Sequence, residues 1–298
     1  MTTATVVLDD ARIEYTDTGA GSPVVFVHGA YVTGALWDDV IASLSAHHRC
    51  IAPTWPFGAQ RQPVGDGVDV GVIAAGRRII ALLDELDLRD VTLVANDSGG
   101  GVLLSALGIL GLDWSLVSRL VFTNCDSFEH FPPKSFAPLV KLCRASGTAG
   151  ALALRALATP PGLAFFKRAV TKNGIAAERD PAIFGGFLRS GEVRRDAVRF
   201  SAALNPPTLP PPPRLSRSGP SRCCWCGEPR TTCSPSATPN ASPAPFLTRP
   251  CGSSKAARLT SCWIVPTKPP RPSRHSLRDH RDGHHRRTAR RRRGDPAG

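Results

Sequence analysis

Short apolar runs alternate with longer amphipathic stretches along the first two thirds of the chain. The run PVVFV at 23–27 lies between Gly-Ser and Gly29, and an uninterrupted apolar run is typical of a strand buried on both faces. Residues 68–87 instead carry apolar side chains at helical spacing and predict an amphipathic helix. The same criteria predict further strands at 4–8, 11–16, 49–53, 91–95 and 119–124, and a buried helix at 99–111.

The order of these elements predicts the fold class. Strands alternate with helices from residue 23 to residue 124, which is typical of a parallel sheet with helices on both faces. Residues 127–204 change to helical pieces without a clear strand, and about seventy-five such residues are long for a crossover connection. We therefore predict an α/β core at 1–126 and a helical cap at 127–204. Ordinary crossover helices are the alternative.

Composition changes at about residue 205. Residues 206–298 hold 18 of the 37 lysines and arginines and 18 of the 28 prolines, but only 4 of the 24 acidic residues. The basic excess therefore lies in this tail, and the body before it is close to neutral. A segment so rich in proline and arginine cannot bury enough apolar surface to offset the cost of ordering its backbone. We predict that 205–298 lies outside the folded core and that the C-terminal strands of the sheet are missing.

Nothing in the sequence calls for a cofactor, a metal or a membrane. The first residues show no basic segment followed by an apolar one, as a secretory signal would, and no apolar run is long enough to span a bilayer. Cysteines are sparse before the tail, with Cys50, Cys125 and Cys143 only. We expect a cytoplasmic protein that acts on a small molecule.

Candidate chemistry begins at Val-Ala-Asn-Asp-Ser-Gly-Gly, which joins a predicted strand to a predicted helix. A nucleophile at such a turn needs small residues two positions before it and two positions after it. Ala95 and Gly99 meet this requirement for Asp97, whereas Asn96 is bulky for a turn centred on Ser98. The spacing therefore favours Asp97 as the nucleophile. The alternative is an aspartate that only caps the helix.

A second motif, Val27-His28-Gly29-Ala30, ends the first buried strand. A hydrolase whose nucleophile lies on a strand–helix turn aims two backbone N–H groups at the oxyanion that develops during the reaction. One belongs to the residue after the nucleophile and the other to the loop after this earlier strand. Those residues are Ser98 and Ala30. The two motifs at this separation are more specific than either motif alone.

These motifs resemble the α/β-hydrolase superfamily, over roughly residues 4–204. The resemblance is carried by the segments VVFVHGAYVTGALWDDVIASL, RCIAPTWPFGAQ, VTLVANDSGGGVLLSAL and RLVFTNCDSFEHFPP. They are closest to the branch with an aspartate nucleophile, which includes haloalkane dehalogenases and epoxide hydrolases. The resemblance implies an α/β-hydrolase fold with a helical cap. It also implies that Asp97 attacks carbon to form an ester, which a histidine-activated water then hydrolyses.

The chain departs from both groups at positions that bind substrate. Haloalkane dehalogenases usually hold the halide with an asparagine after His-Gly and a tryptophan after the nucleophile, but this chain has Ala30 and Ser98 there. Epoxide hydrolases usually have a His-Gly-Phe-Pro loop and two ring-opening tyrosines in the cap. The only tyrosines here, Tyr15 and Tyr31, lie outside the predicted cap. The resemblance therefore implies a nucleophile class and a small, largely apolar electrophile, without naming the substrate.

The resemblance also implies an acid and a histidine base. The acid follows the strand at 119–124 in some members, so Asp126 or Glu129 would supply it, and we prefer Asp126 because it is nearer the strand. A polar residue that merely opens the cap is the alternative. The base should follow the last strand of the sheet, where only the arginine-rich tail offers histidines, and we assign none. The histidines set aside are His28, His47, His48, His130, His275, His280, His284 and His285.

The tail has two interpretations. It is either a nucleic-acid-binding segment or the product of a wrong reading frame, and we favour the second. Moving the frame back by one base turns Cys-Cys-Trp-Cys-Gly at 223–227 into codons that permit Val-Leu-Leu-Val-Trp. Thr-Thr-Cys at 231–233 then permits Asp-Asp-Leu, so an apolar strand with an acidic end appears where the resemblance implies one. Zinc binding by Cys223 and Cys226 is less favoured, because no second pair of this kind follows.

Two alternatives to hydrolysis through Asp97 stay open. A serine esterase would use Ser98 as its nucleophile. An inactive remnant would have lost its base and would bind nucleic acid through the basic tail. Salt-dependent binding to unrelated DNA distinguishes the remnant, because the enzyme hypothesis does not predict such binding.

Overall fold

The computed structural model describes residues 2–107, 112–125, 131–204, 225–226 and 263–266. Their strands form one sheet in the order β1-β2-β4-β3-β5-β6-β7, and β8 also pairs with β6. Strands β4, β3, β5 and β6 are parallel, while β1 and β2 are antiparallel at one edge. The strands are β1 (Thr2–Leu8), β2 (Ala11–Thr18), β3 (Ser22–Val27), β4 (His48–Thr54), β5 (Val91–Asp97), β6 (Val117–Cys125), β7 (Trp225–Cys226) and β8 (Trp263–Pro266). The predicted α/β class with a mostly parallel sheet is confirmed.

The central strands are apolar on both sides because helices cover both faces of the sheet. Val25 and Leu93 point to one face, where α2 (Val72–Glu85) and α3 (Ser98–Leu107) pack. Phe26 and Val94 point to the other face, where α1 (Asp38–Leu44) packs. Helix α1 was not predicted. It has only seven residues, of which Ile41 alone is buried, so its periodicity is weak.

The described part of the predicted cap, residues 131–204, is mainly helical. Between 131 and 204 the described chain contains six α-helices and no strand. They are α4 (Ala137–Ala145), α5 (Gly147–Leu157), α6 (Pro160–Val170), α7 (Asp180–Ile183), α8 (Gly185–Arg189) and α9 (Gly191–Ala203).

In the described residues no single helix is both long and apolar enough to cross a membrane. Helices α5 and α6 together have the length and composition of a span, but the chain bends by 87° between them.

Two short segments of the tail add to the outer edge of β6. Trp225 and Cys226 run parallel to Phe122 and Thr123, and β8 runs antiparallel to residues 119–121. An uncovered strand edge carries unpaired backbone groups, so extended segments readily pair there. These six residues are all that the structure describes of 205–298, and the predicted boundaries at 126 and 204 remain predictions. The cysteine pair and the arginine-rich end lie outside the described side chains.

Candidate active site

The turn between β5 and α3 has the geometry of a nucleophile elbow. Asp97 ends β5, Ser98 begins α3, and the backbone φ of Asp97 is +53°. A positive φ is strained for a residue with a side chain, and α/β hydrolases carry their nucleophile on a turn of this kind. Ala95 is fully buried two residues earlier, which explains why that position must be small. The residue with a positive φ in this turn is therefore Asp97, and its role as the nucleophile stays a prediction.

Two glycines make room for this turn. A Cβ on Gly29 would overlap Oδ2 of Asp97, and a Cβ on Gly99 would lie 2.6 Å from the carbonyl oxygen of His28. In both cases the distance from the added Cβ to its neighbour is far shorter than a van der Waals contact. Neither glycine can therefore be replaced by a larger residue unless the surrounding atoms move. Gly29 therefore lies directly against the Asp97 carboxylate, and we call the segment that contains it, residues 28–34, the oxyanion loop.

The two residues predicted to form the oxyanion hole lie together at this carboxylate. The Ala30 N–H donates to Oγ of Ser98 at 3.2 Å, and the Ser98 hydroxyl donates to Oδ2 of Asp97 at 3.1 Å. Ala30 and Ser98 are both buried. The spacing singled out their backbone N–H groups, but it gave no signal for the Ser98 side chain, whose orientation depends on the rotamer.

His28 is a structural residue of the oxyanion loop. Its Nδ1–H donates to the carbonyl oxygen of Gly29, and its Nε2 accepts the backbone N–H of Trp55, each at 2.8 Å. The side chain is fully buried, and this burial lowers the pKa of His28 from 6.5 to about 4. Both ring nitrogens are engaged in the neutral form, so His28 ties the oxyanion loop to the segment after β4.

Acid should destabilise the fold through His28. Because the folded state holds this histidine neutral, the stabilisation is complete above pH 6.5 and is lost as the pH falls towards 4. The pKa difference corresponds to about 3 kcal/mol of unfolding free energy. Urea unfolding at steps of pH should show this loss in the natural chain and not in His28→Gln, whose amide keeps an acceptor for Trp55. Parallel curves for the two proteins would refute it.

Tyr31 is a residue of the site that the sequence did not assign. Its hydroxyl hydrogen-bonds Oγ of Ser201 on α9 at 2.5 Å, and its ring stacks on Phe187 of α8 with the centroids 5.2 Å apart. Burial raises the pKa of Tyr31, and the charge of Asp97 raises it further. Tyr31 thus joins helices α8 and α9 to the oxyanion loop close to Asp97, although it lies outside the predicted cap. Its φ of +62° is a second strained position in the site.

Asp196 joins α9 to the segment after β4. Its buried carboxylate accepts hydrogen bonds from Nε2 of Gln60 and the backbone N–H of Val64, both at 2.9 Å. Burial raises the pKa of Asp196, while these bonds and Arg199 act in the opposite direction. Helix α9 therefore closes over the segment after β4, which borders the site.

The end of β6 supports the elbow from the other side. Cys125 lies opposite Asp97 in the strand register, and Nδ2 of Asn96 donates to the carbonyl oxygen of Thr123 at 2.8 Å. The acids named from the sequence, Asp126 and Glu129, follow this strand directly and lie outside the described residues. The role of Asp126 therefore stays a prediction.

No histidine in the described ranges offers a ring nitrogen to Asp97. His28 uses both of its nitrogens elsewhere. His47 and His48 lie where β4 begins, and because β4 is parallel to its neighbour β3, that is the sheet edge opposite the elbow. His130 and the four tail histidines lie outside the described residues. The described part of the chain therefore supplies no histidine base for Asp97, and the base stays unassigned.

A cleft of about 720 Å³ lies away from the elbow. Its walls come from β2, from Thr33, Gly34 and Ala35, and from the α7–α8 segment of the cap. That volume falls within the range of small-molecule sites, but the lining residues do not include Asp97 or Ser98. We assign the candidate site to the elbow, because Asp97 with its positive φ lies there beside Ala30 and Ser98, the residues predicted to form the oxyanion hole.

A family model described as "Alpha/beta hydrolase family" matches residues 24–285 of the chain. Among solved structures, the chain is similar to an alpha/beta hydrolase fold protein from Burkholderia ambifaria. That match has 22% identity and a TM-score of 0.56, and covers 68% of this chain and 71% of the other. At this identity the likeness shows the fold alone.

Curated relatives match the chain over shorter stretches. A non-heme chloroperoxidase of Kitasatospora aureofaciens is 43% identical over 101 residues, which are 34% of this chain and 36% of that protein. A haloalkane dehalogenase of Mesorhizobium japonicum is 36% identical over 92 residues, which are 30% of this chain and 29% of that protein. The chain thus matches about a third of the length of these relatives, and their names cover two different chemistries.

Proposed function

The chain belongs to the alpha/beta hydrolase family, and we propose that it attacks a small, largely apolar electrophile with Asp97 to form a covalent ester. One observation carries the proposal. Asp97 has a φ of +53° at the strand–helix turn, with its carboxylate directly against the oxyanion loop. A haloalkane dehalogenase among the relatives is consistent with attack on carbon. The substrate class is an epoxide or a haloalkane.

The reaction has two steps. A carboxylate oxygen of Asp97 attacks the substrate carbon, and the bond from that carbon to the leaving oxygen or halide breaks. Water then adds to Cγ of the ester, and negative charge builds on the carbonyl oxygen. The backbone N–H of Ser98 stabilises this charge, together with that of Ala30 once it turns from Oγ of Ser98 to the oxyanion. Collapse releases the product alcohol, which takes one proton from the water. The second proton passes to the alkoxide that epoxide opening leaves or, for a haloalkane, to solvent, so the carboxylate is regenerated.

Neighbouring groups give this site an apolar character. The ring of Tyr31 and the cap side chains Phe166 and Phe187 pack together beside the oxyanion loop. Apolar surroundings exclude water and strengthen the interactions that stabilise a developing charge.

The proposal includes a cytoplasmic location. Cys50 and Cys143 are buried free thiols, which is consistent with a reducing compartment.

Covalent trapping tests the proposal. The chain is incubated with styrene oxide in one sample and with p-nitrophenyl acetate in another, and the labelled peptide is sequenced by mass spectrometry. We expect the epoxide to add to Asp97 as an ester that hydroxylamine cleaves. Acetyl or ether label on Ser98, with Asp97 unmodified, would contradict the proposal and support the esterase alternative.

A further inference from the structure

We propose that the outer face of helices α5 and α6 docks on an anionic lipid surface. This docking face carries Leu152 and Arg155 on α5, and Phe165 and Arg168 on α6. It would hold the cap against a membrane from one side. The inference rests on the surface alone and does not depend on the reaction proposed for Asp97.

Charge is distributed unevenly over the body of the chain. Residues 131–177, which include α4, α5 and α6, contain seven lysines and arginines and no acidic residue. The remainder of the body, residues 1–130 and 178–205, contains twelve basic and twenty acidic residues. The body is close to neutral as a whole, so this part of the cap holds positive charge that the rest of the body offsets. Such a concentration of cations attracts an anionic surface.

Large apolar side chains are exposed on the same three helices. Among the described residues five large hydrophobic side chains are exposed, and three of them lie here: Leu142 at 38%, Leu152 at 63% and Phe165 at 71%. A single exposed leucine is ordinary on a protein surface. Leu152, however, is three positions from the exposed Arg155, so the two share one helix face. Phe165 and the exposed Arg168 have the same spacing on α6.

The two arginines of the docking face have no anionic partner among the described residues. No ion pair or hydrogen bond there engages the guanidinium of Arg155 or Arg168. Lys167, the neighbour of Arg168, has a side chain that is only 15% exposed, and it donates to the carboxylate of Asp180 at 2.9 Å. The cap therefore pairs the cation that is buried and leaves the arginines beside Leu152 and Phe165 to face an external anion.

The shape of the α5–α6 pair suits the surface of a bilayer and not a span. Together the helices have the composition of a span, but the chain bends by 87° between them. Each has eleven residues, which make about 16 Å of helix, roughly half the thickness of the hydrocarbon core. Their inner sides are buried in the protein, at Leu154 and Phe166. A surface-bound pair needs no long apolar run, so the sequence analysis had no reason to call for a membrane.

An anionic bilayer is the partner that uses both kinds of side chain. Its acyl chains take up Leu152 and Phe165, and its headgroup phosphates pair with Arg155 and Arg168. A nucleic acid would neutralise the arginines but would leave the apolar side chains in water. A second copy docked by the same face in a two-fold dimer would bring the arginines of both copies together.

Vesicle binding by the full chain tests the inference. Partition onto vesicles of equal parts phosphatidylglycerol and phosphatidylcholine is measured by sedimentation. Phe165→Ser should weaken this binding about tenfold, because the bilayer no longer takes up the ring. Arg168→Gln should weaken it about fivefold, the scale for one arginine near an anionic surface, and should change nothing on pure phosphatidylcholine. Circular dichroism checks folding, and Leu152→Ser replaces Phe165→Ser if that variant is unfolded, with a loss expected in the same direction.

Val7→Ser and Arg12→Gln are the matched controls. Val7 is 66% exposed, and the exposed Arg12 lies opposite it in the register of β1 and β2. The pair thus repeats the combination of apolar side chain and cation on the antiparallel edge of the sheet. Both control variants should bind the vesicles as the natural chain does.

Hydrogen exchange separates the docking face from the basic tail, whose charge also attracts anionic lipid. Amides of residues 147–172 should exchange more slowly when the anionic vesicles are present. Vesicle binding that leaves these amides unprotected and is insensitive to Phe165→Ser and Arg168→Gln would assign the binding to the tail and overturn the inference. Protection that appears without vesicles and increases with protein concentration would mean that a second copy covers the face, which would overturn it as well.

Discussion

Moving the reading frame by one base near codon 205 is expected to raise turnover about 100- to 10,000-fold over that of the present chain. The present chain should stop once Asp97 is esterified, because no histidine in the described residues can activate water there. The shifted frame permits an apolar strand and an acidic end. The measurement is steady-state turnover of epoxides, haloalkanes and esters by both proteins, with the burst of ester formation recorded separately.

The sheet edge gives this experiment a second readout. In the described residues, β6 is paired on its outer side only by the two residues of β7 and the four residues of β8. Trp225 already runs parallel to β6, at the place where the shifted frame permits Val-Leu-Leu-Val-Trp. A longer apolar strand there should cover the edge and increase solubility. Equal solubility and equal turnover of the two proteins would show that the frame hypothesis is wrong, and His275 would become the first histidine to mutate.

Replacing Asp97 with asparagine is expected to lower ester formation at least about 10⁴-fold, the scale on which loss of a nucleophile acts. Asparagine tolerates a positive φ and is almost the same size as aspartate, so the elbow should keep its shape. The measurement is the rate of styrene oxide labelling by intact mass, with circular dichroism as the check of folding. Fresh protein is needed, because deamidation of the introduced asparagine would restore the acid.

Asp87→Asn supplies the control for that substitution. Asp87 also has a positive φ, +48°, but it lies in the exposed turn after α2. The control variant should label at the natural rate. Labelling of Asp97→Asn at a rate close to the natural one would mean that another residue is the nucleophile, and Ser98 would be examined first.

The strands could be predicted because burial on both faces leaves a strong signal. PVVFV and VTLVA are apolar almost throughout, and the structure extends each by only one or two residues, as β3 (Ser22–Val27) and β5 (Val91–Asp97). The elbow could be predicted because tight backbone contacts restrict residue size at positions 95 and 99. Steric limits of this kind are visible in a sequence as small residues at fixed spacing.

Contacts between distant side chains left no comparable signal. The hydrogen bond from Tyr31 to Ser201 joins residues 170 positions apart, and neither residue type is unusual where it occurs. The Ser98 hydroxyl could have pointed elsewhere without any change in sequence, because its role depends on one rotamer. The expected acid and base were hard to assign for different reasons. The candidates for the acid, Asp126 and Glu129, lie outside the described residues. The base was expected after the last strand of the sheet, where the chain has the proline- and arginine-rich tail.

The contact between Gly29 and the Asp97 carboxylate limits how this site can evolve. Because Oδ2 fills the space that a side chain at 29 would need, positions 29 and 97 cannot both carry a larger residue. A mutation that enlarges residue 29 therefore requires the backbone of the turn at residue 97 to move. The Cβ of residue 97 lies only 2.7 Å from the point that a Cβ at 29 would take, and a serine would keep this atom, so giving up the carboxylate would not free position 29. The glycine is therefore needed for an aspartate and for a serine alike.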